Sequence, residues 1–189
     1  MDKNNVFGFH SCFYYFGLQH LVLNMYSYIK DGVDKNEKIY MCVEPEVYCE
    51  LMKYLPDIYQ FSYIKNFSIH EVISYYSKLK LNEVRTKLSR YIDKVVKAGY
   101  SGIRFIIQTD YMILGSSKEC FMDFNKSVSR IILGMKASLM TLYDFEDYLK
   151  FKYIIDDEVI LQSYKVHSHR LYNGNLEISM DSIIQNNPS

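Results

Sequence analysis

The chain has 189 residues, 22 Lys plus Arg against 22 Asp plus Glu, 49% hydrophobic residues and 23% charged ones. That suffices for one domain with a substantial core and is too apolar for wholesale disorder, and balanced charge gives no overall positive field for nucleic acid or an anionic membrane. The longest apolar runs, IRFIIQ and RIILGMKASLM, fall well short of the roughly 20 residues of a spanning helix, and MDKNNVFGFH lacks the basic start and apolar stretch of a secretory signal, so a cytoplasmic protein is expected.

FHSCFYY reads as a buried strand, followed by a small turn at Gly17. Leu18, Leu21, Val22, Met25 and Ile29 then recur at helical spacing, with a stop near Gly32. KIYMCV is a second strand. Pro45 stands where a first helical residue is favoured and opens PEVYCELMKYL, which ends before Pro56; FSYIKNF is expected as the third strand. Ser68 and Glu71 have capping-box spacing ahead of a helix with Val72, Ile73, Tyr76 and Leu79 on its inner face. Asn82 is expected to cap the next helix, which buries Val84, Leu88, Ile92 and Val95, shows Arg85, Lys87, Arg90, Lys94 and Lys97, and ends at Gly99.

GIRFIIQ is a near-continuous apolar strand of the kind covered on both faces in a parallel sheet. Ser116 and Glu119 form a second capping box before a helix carrying Phe121, Phe124, Val128 and Ile131, and ASLMTLYD is the next strand. Asp156 or Asp157 caps DDEVILQSY, and VHSHRLYNG reads as a strand closed by an Asn-Gly turn, with QNNPS as a tail. Strands alternating with helices imply right-handed crossovers and a mainly parallel, doubly wound α/β sheet.

In such sheets ligands bind beyond the carboxyl ends of the strands, which selects Tyr14, Tyr15, Gly17 and Gln19 after the first strand. The same rule selects Glu44 after the second, Asp110 and Tyr111 after IRFIIQT, and Tyr143 with Asp144 after SLMTL. A nucleotide hydrolase would need GxxxxGK and a Ser or Thr, because glycine amides wrap the phosphates and the lysine offsets their charge. The turn YYFGLQH has one glycine and no lysine. Asp110 after its apolar strand reads as a helix cap or turn carboxylate rather than a magnesium ligand.

Four cysteines, Cys12, Cys42, Cys49 and Cys120, form no CxxC pair and no disulfide framework. His10-x-Cys12 and His167-x-His169 each place two ligand types on one strand face, but the pairs lie far apart and no third cluster joins them. Packed histidines, with no metal and no cofactor, are therefore expected. Cys12 in a buried strand behaves as a small apolar group, so no catalytic nucleophile is assigned. The aromatics past the end of the first strand, with Tyr111 and Tyr143, suit a small organic ligand.

Four segments, in order, resemble the MEDS sensory domain, the DcmR-type sensory domain of methanogens and methylotrophs, across about residues 7 to 174. HSCFYY supplies His10, Cys12, Phe13 and Tyr14 or Tyr15 of its opening strand. DGVDKNEKIYMCVEPE supplies Gly32, Asn36 and Glu37; GYSGIRFIIQTD supplies Gly99, Tyr100, Gly102 and Arg104; LMTLYD supplies Tyr143 and Asp144. Tyr111 stands where the family has Trp.

The resemblance implies an α/β, RecA-like three-layer sandwich, its mainly parallel central sheet flanked by helices, that has lost its nucleotide-hydrolysing loop and serves as a sensor. Residues 1–189 are then a single non-enzymatic sensory domain that binds a small molecule at the carboxyl edge and signals through a separate protein, such as a histidine kinase or transcription regulator. His10, Cys12, Tyr14, Tyr15, Gln19, Glu44, Asp110, Tyr111, Tyr143 and Asp144 are the candidate ligand-binding residues. A ligand-free interaction module regulating a sensor kinase or transcription regulator is the alternative, with Arg85, Arg90 and Lys94 as its surface, and a divergent nucleotide-binding enzyme ranks third. A second copy is a further candidate partner, the acidic stretches DFEDY and DDE meeting that basic face.

Overall fold

Successive apolar residues in IYMC, IRFII and ASLMTLY leave those strands no polar face, so both faces must be covered. In the computed structural model, which describes residues 6–68 and 80–179, helices cover them. The strands are β1 (His10–Tyr15), β2 (Glu37–Cys42), β3 (Ile64–Asn66), β4 (Gly102–Gln108), β5 (Ala137–Asp144), β6 (His169–Tyr172) and β7 (Asn175–Ile178). They form one sheet in the order β3-β2-β4-β5-β1-β6-β7. Every pairing is parallel except the terminal hairpin of β6 and β7.

The described helices are α1 (Gly17–Asp34), α2 (Pro45–Tyr54), α3 (Asp57–Ser62), α4 (Leu81–Lys97), α5 (Thr109–Leu114), α6 (Lys118–Ile132), α7 (Phe145–Lys150) and α8 (Asp157–Val166). One layer packs Leu21, Met25 and Ile29 of α1 and Val47 and Leu51 of α2 on Phe13, Met41, Ile106 and Met140 of the sheet. The other sets α4, α6 and α8 on the opposite face, with Ile92, Phe121, Val128 and Val159 against Ile103, Ile107, Leu139 and Tyr143. Among the described residues no helix is long and apolar enough to cross a membrane.

Local chemistry moved several expected boundaries. Only three residues of FSYIKNF are strand, because residues 57–62 wind into α3 after Pro56. That turn lets Gln60 donate to the carbonyls of Met52 and Leu55 and close the end of α2. Asn82 caps nothing: α4 starts at Leu81 behind Lys80, and the Asn82 carbonyl accepts from Thr86. Ser117 rather than Ser116 caps α6, accepting from the Cys120 amide, while the Ser116 hydroxyl donates to Met112 and ends α5. Asp156 caps α8 through the Val159 amide. The turn residues Asn173 and Gly174 both have positive φ, as a tight hairpin requires, and β7 extends the chain's order beyond the expected strand. The helix expected after Ser68, and QNNPS, lie outside the described residues.

At the amino edge of the sheet, the fully buried Arg104 of β4 donates to the Glu37 carboxylate, to the Tyr28 carbonyl at 2.9 Å and to Asp31 at 2.6 Å. Its guanidinium sits 4.6 Å from the centroid of the Tyr28 ring. Gly32 covers this cluster; a Cβ there would stand 2.8 Å from Ile39 Cδ1 and 3.0 Å from Arg104 Cδ. At Gly102 a Cβ would meet the Phe7 ring at 2.3 Å. Asn36, in a left-handed conformation with φ 57°, donates to the Gly99 carbonyl at 2.7 Å. The segments around residues 32–37 and 99–104 thus form one structural joint.

Removing one partner of a buried ion pair costs about 3–5 kcal/mol, because the other charge is left uncompensated. Arg104→Ala is expected to lose that much in urea unfolding, and Gly32→Ala about 1–3 kcal/mol from overpacking. A loss below about 1 kcal/mol for Arg104→Ala would show that the cluster is not what holds β2, β4 and α1 together.

Candidate functional site

The turn from β1 into α1 occupies the place where a doubly wound sheet would receive a phosphate. Phe16 is extended at the N-cap and Gly17 has φ 69°, with Glu146 Oε2 3.4 Å from where a Cβ would stand. The Phe16 amide donates to His20 Nδ1 at 3.1 Å, and the first turn of α1 contains no Asp, Glu, Lys or Arg.

Next to this turn the buried Gln108, last residue of β4, joins three strand ends. Its carbonyl accepts from the Glu44 amide at 2.9 Å, and its amide donates to Tyr15 Oη at 3.2 Å and to Asp110 Oδ2 at 3.1 Å. Tyr15 lies opposite Asp144 in the β1–β5 register, so Tyr15, Glu44, Asp110 and Asp144 converge at one edge. Burial, then repulsion from Glu44 and Asp144, pushes the Asp110 carboxyl up to about 7. Burial also raises Glu44, helped by Glu46 and Asp144, and raises Asp144 against the pull of the Glu146 and Asp147 amides that it caps. Tyr15 is held well above the usual phenol range by burial and by the same three carboxylates. Among the described residues no ion pair ties Glu44, Glu46, Asp110 or Asp144.

Beside this cluster is an open depression of about 580 Å³ lined by Glu44, Pro45, Glu46, Tyr111, Leu114 and Gly115. Carboxylates on one side and a phenol ring with an aliphatic side chain on the other suit a small, partly apolar guest that is not an anion. Gln108 was missed from the sequence. The available signal was its place as the polar residue ending an otherwise apolar strand.

Other expected ligand residues are not at this edge. His10, Cys12 and Tyr143 are buried between the sheet and the α6–α8 layer. His10 bonds Ser129 at 2.9 Å and Thr141 at 3.3 Å, and its ring lies 4.1 Å from that of His167. Burial lowers both histidines, His167 to about 4, so both are neutral; it raises the Cys12 thiol to about 11, which leaves it inert. Tyr143 Oη accepts from Asn125 at 2.9 Å, and Tyr14 Oη bonds Ser163 at 2.5 Å beneath the Arg170 guanidinium. The polar residues Asn125, Gln162 and Ser163 of this interior network were also not anticipated. Tyr15 is at the edge by its hydroxyl, but its ring belongs to the core. Gln19 faces a separate groove with Leu18, Leu23 and Tyr54.

His169 stacks on Phe9 at 3.8 Å, away from His167. Among the described residues no three His, Cys, Asp or Glu side chains gather to hold a metal ion. Of the basic residues, Arg85 donates to the carbonyls of Arg130, Ile131 and Leu133 and caps the end of α6, so its fork serves the fold. Arg90 and Lys94 are exposed.

Residues 9–168 match the family described as MEDS, the MEthanogen/methylotroph, DcmR Sensory domain. None of the curated proteins compared matches the chain. Among solved structures it is similar to a Pyrococcus horikoshii OT3 protein described as Project ID PH0250, with TM-score 0.55, 12% identity, and coverage of 91% of this chain and 86% of that one. It is also similar to the KaiC-like protein PH0186 from Pyrococcus horikoshii OT3, with TM-score 0.50, 13% identity, and coverage of 91% and 76%. At these identities the likeness shows the fold alone, which is RecA-like.

The raised Asp110 group disfavours the folded state once ionised. Its stabilising protonated form is complete below the ordinary carboxylate range and is lost as pH rises towards about 7. Asp110→Asn is expected to raise thermal stability at pH 8 and to change it little at pH 4. Equal effects at both pH values would mean that Asp110 titrates normally.

Proposed function

The chain belongs to the MEDS sensory-domain family, and from that premise we propose that it is a regulatory sensor binding a small organic molecule at the carboxyl edge beside Glu44, Asp110 and Tyr111. One observation carries the reading: three carboxylates occupy the edge where a nucleotide hydrolase needs glycine amides and a lysine. At short range in a partly buried site, like charges repel by several kcal/mol, so phosphate is disfavoured where the fold would otherwise cradle it. A neutral or cationic guest meets the opposite situation. It gains hydrogen-bond acceptors from Glu44 and Glu46 and apolar contact from Tyr111 and Leu114.

No catalytic step is assigned to these residues in this reading, and the output is conformational. Helices α2 and α5 leave the edge directly, α2 opening at Pro45 behind Glu44 and α5 carrying Asp110 and Tyr111. A guest held between them changes the surface offered to a signalling partner of the histidine-kinase or transcription-regulator type.

Thermal unfolding with a panel of small alcohols, amines and aldehydes, and with ATP and magnesium, tests this. A ligand present at about 100 times its Kd stabilises the fold by about 2.7 kcal/mol. At least one organic compound is expected to do so, and the shift is expected to vanish in Glu44→Gln/Tyr111→Ala while ATP gives none. An ATP-dependent shift abolished by Asp110→Asn would replace the sensor reading with a nucleotide-binding one.

A further inference from the structure

The formal net charge is zero, yet one helix face carries a run of exposed cations. On α4, Lys87, Arg90, Lys94 and Lys97 are all exposed and follow one another at spacings of three, four and three. At 1.5 Å per residue that spacing draws a cationic stripe about 15 Å long down one side of the helix. It faces away from Ile92 and Val95, which bury the helix on the sheet. Glu83 and Asp93 are the acids of α4, and among the described residues no ion pair ties either to Arg90 or Lys94.

The complementary surface is the carboxyl edge. Glu44 and Glu46 line its depression opposite Tyr111 and Leu114, and Leu114 is 65% exposed. A long cationic side chain matches this lining on both counts: its methylene stem lies along the phenol ring and leucine while its head meets the carboxylates. The chain's own stripe points out of the helix layer, so the match is with the stripe of another molecule.

We propose that copies of this chain associate head to tail, the α4 stripe of one molecule, led by Arg90 and Lys94, docking on the Glu44–Glu46 depression of the next. Such a contact uses two different patches, so it builds open chains or rings rather than a two-fold dimer. It places the cations of one copy at the edge where the Proposed function puts the small molecule. The two occupants compete, and ligand binding disassembles the array. The association itself stands on surface charge and does not require that a ligand exist.

Sedimentation velocity at about 20 mM and about 500 mM NaCl measures it, since screening weakens contacts between exposed charges. The full chain is compared with Arg90→Glu/Lys94→Glu and with Glu44→Lys/Glu46→Lys. The expected result is concentration-dependent association of the wild type in low salt, lost in high salt, with each variant alone monomeric. An equimolar mixture of the two variants is expected to associate again, because each then offers the patch that the other lacks; that recovery also shows that both are folded. A wild type that stays monomeric in low salt, a variant that still associates alone, or a mixture that fails to recover would each overturn the proposal. The ligand reading is judged separately: the monomeric Arg90→Glu/Lys94→Glu variant keeps any thermal shift that a small molecule produces on the wild type.

Discussion

A fully buried guanidinium must be met by charge and hydrogen-bond acceptors, and Arg104 finds them in segments that the chain brings back from earlier in the sequence. Glu37 comes from the start of β2, Asp31 and the Tyr28 carbonyl from the last turns of α1. One side chain therefore locks the first crossover onto β4. Gly32 leaves room for that guanidinium, since a Cβ there would press on Ile39 and Arg104. Fixing β2 and β4 at their amino ends sets their register, Glu37 opposite Gly102 and Cys42 opposite Ile107. The register delivers Glu44 and Gln108 to the same place at the far end, within hydrogen-bonding distance of each other.

The two edges of the sheet divide the work. At the amino edge, charges are matched and tightly covered: Arg104 with Glu37 and Asp31, and Asn36 bridging to Gly99. At the carboxyl edge no ion pair among the described residues ties the carboxylates, and mutual repulsion adds to burial in lifting Asp110 and Glu44. An unmatched edge beside a well-matched joint fits the binding role proposed for that edge, since local consistency is given up at functional sites and supplied elsewhere. Between the edges, the neutral network of His10, His167, Asn125 and Tyr143 holds α6 and α8 on the sheet and has no route to a charged state near neutral pH.

Much of this was legible in the residues. GIRFIIQ and ASLMTLYD became β4 and β5 with the bounds expected, because continuous apolar runs of that length flanked by a glycine and an acid admit little else. Glu44, Asp110 and Asp144 were placed at the carboxyl edge by the rule that ligands bind beyond strand ends, and the fold brings them together there. Gln108 was not, since a glutamine gives no sign of which of three neighbours it will bond. Tyr143 was placed at the edge by the strand-end rule and His10 and Cys12 became candidates through the family resemblance, and a strand apolar on both faces shows no period from which their depth could be read. Whether Ser116 or Ser117 caps α6 turned on how α5 ended, a tertiary fact. Arg85 looked like surface charge, and only the fold shows the three carbonyls at the end of α6 that it serves.

The central claim is that the carboxyl edge of this RecA-like sheet holds a small organic molecule and not a phosphate. Native mass spectrometry of the protein purified without added ligand, compared with Glu44→Gln/Tyr111→Ala, tests it most directly. The expected result is an adduct of small organic mass on the wild type that is missing from the variant. A nucleotide adduct, or an organic adduct that the variant retains, would contradict the claim.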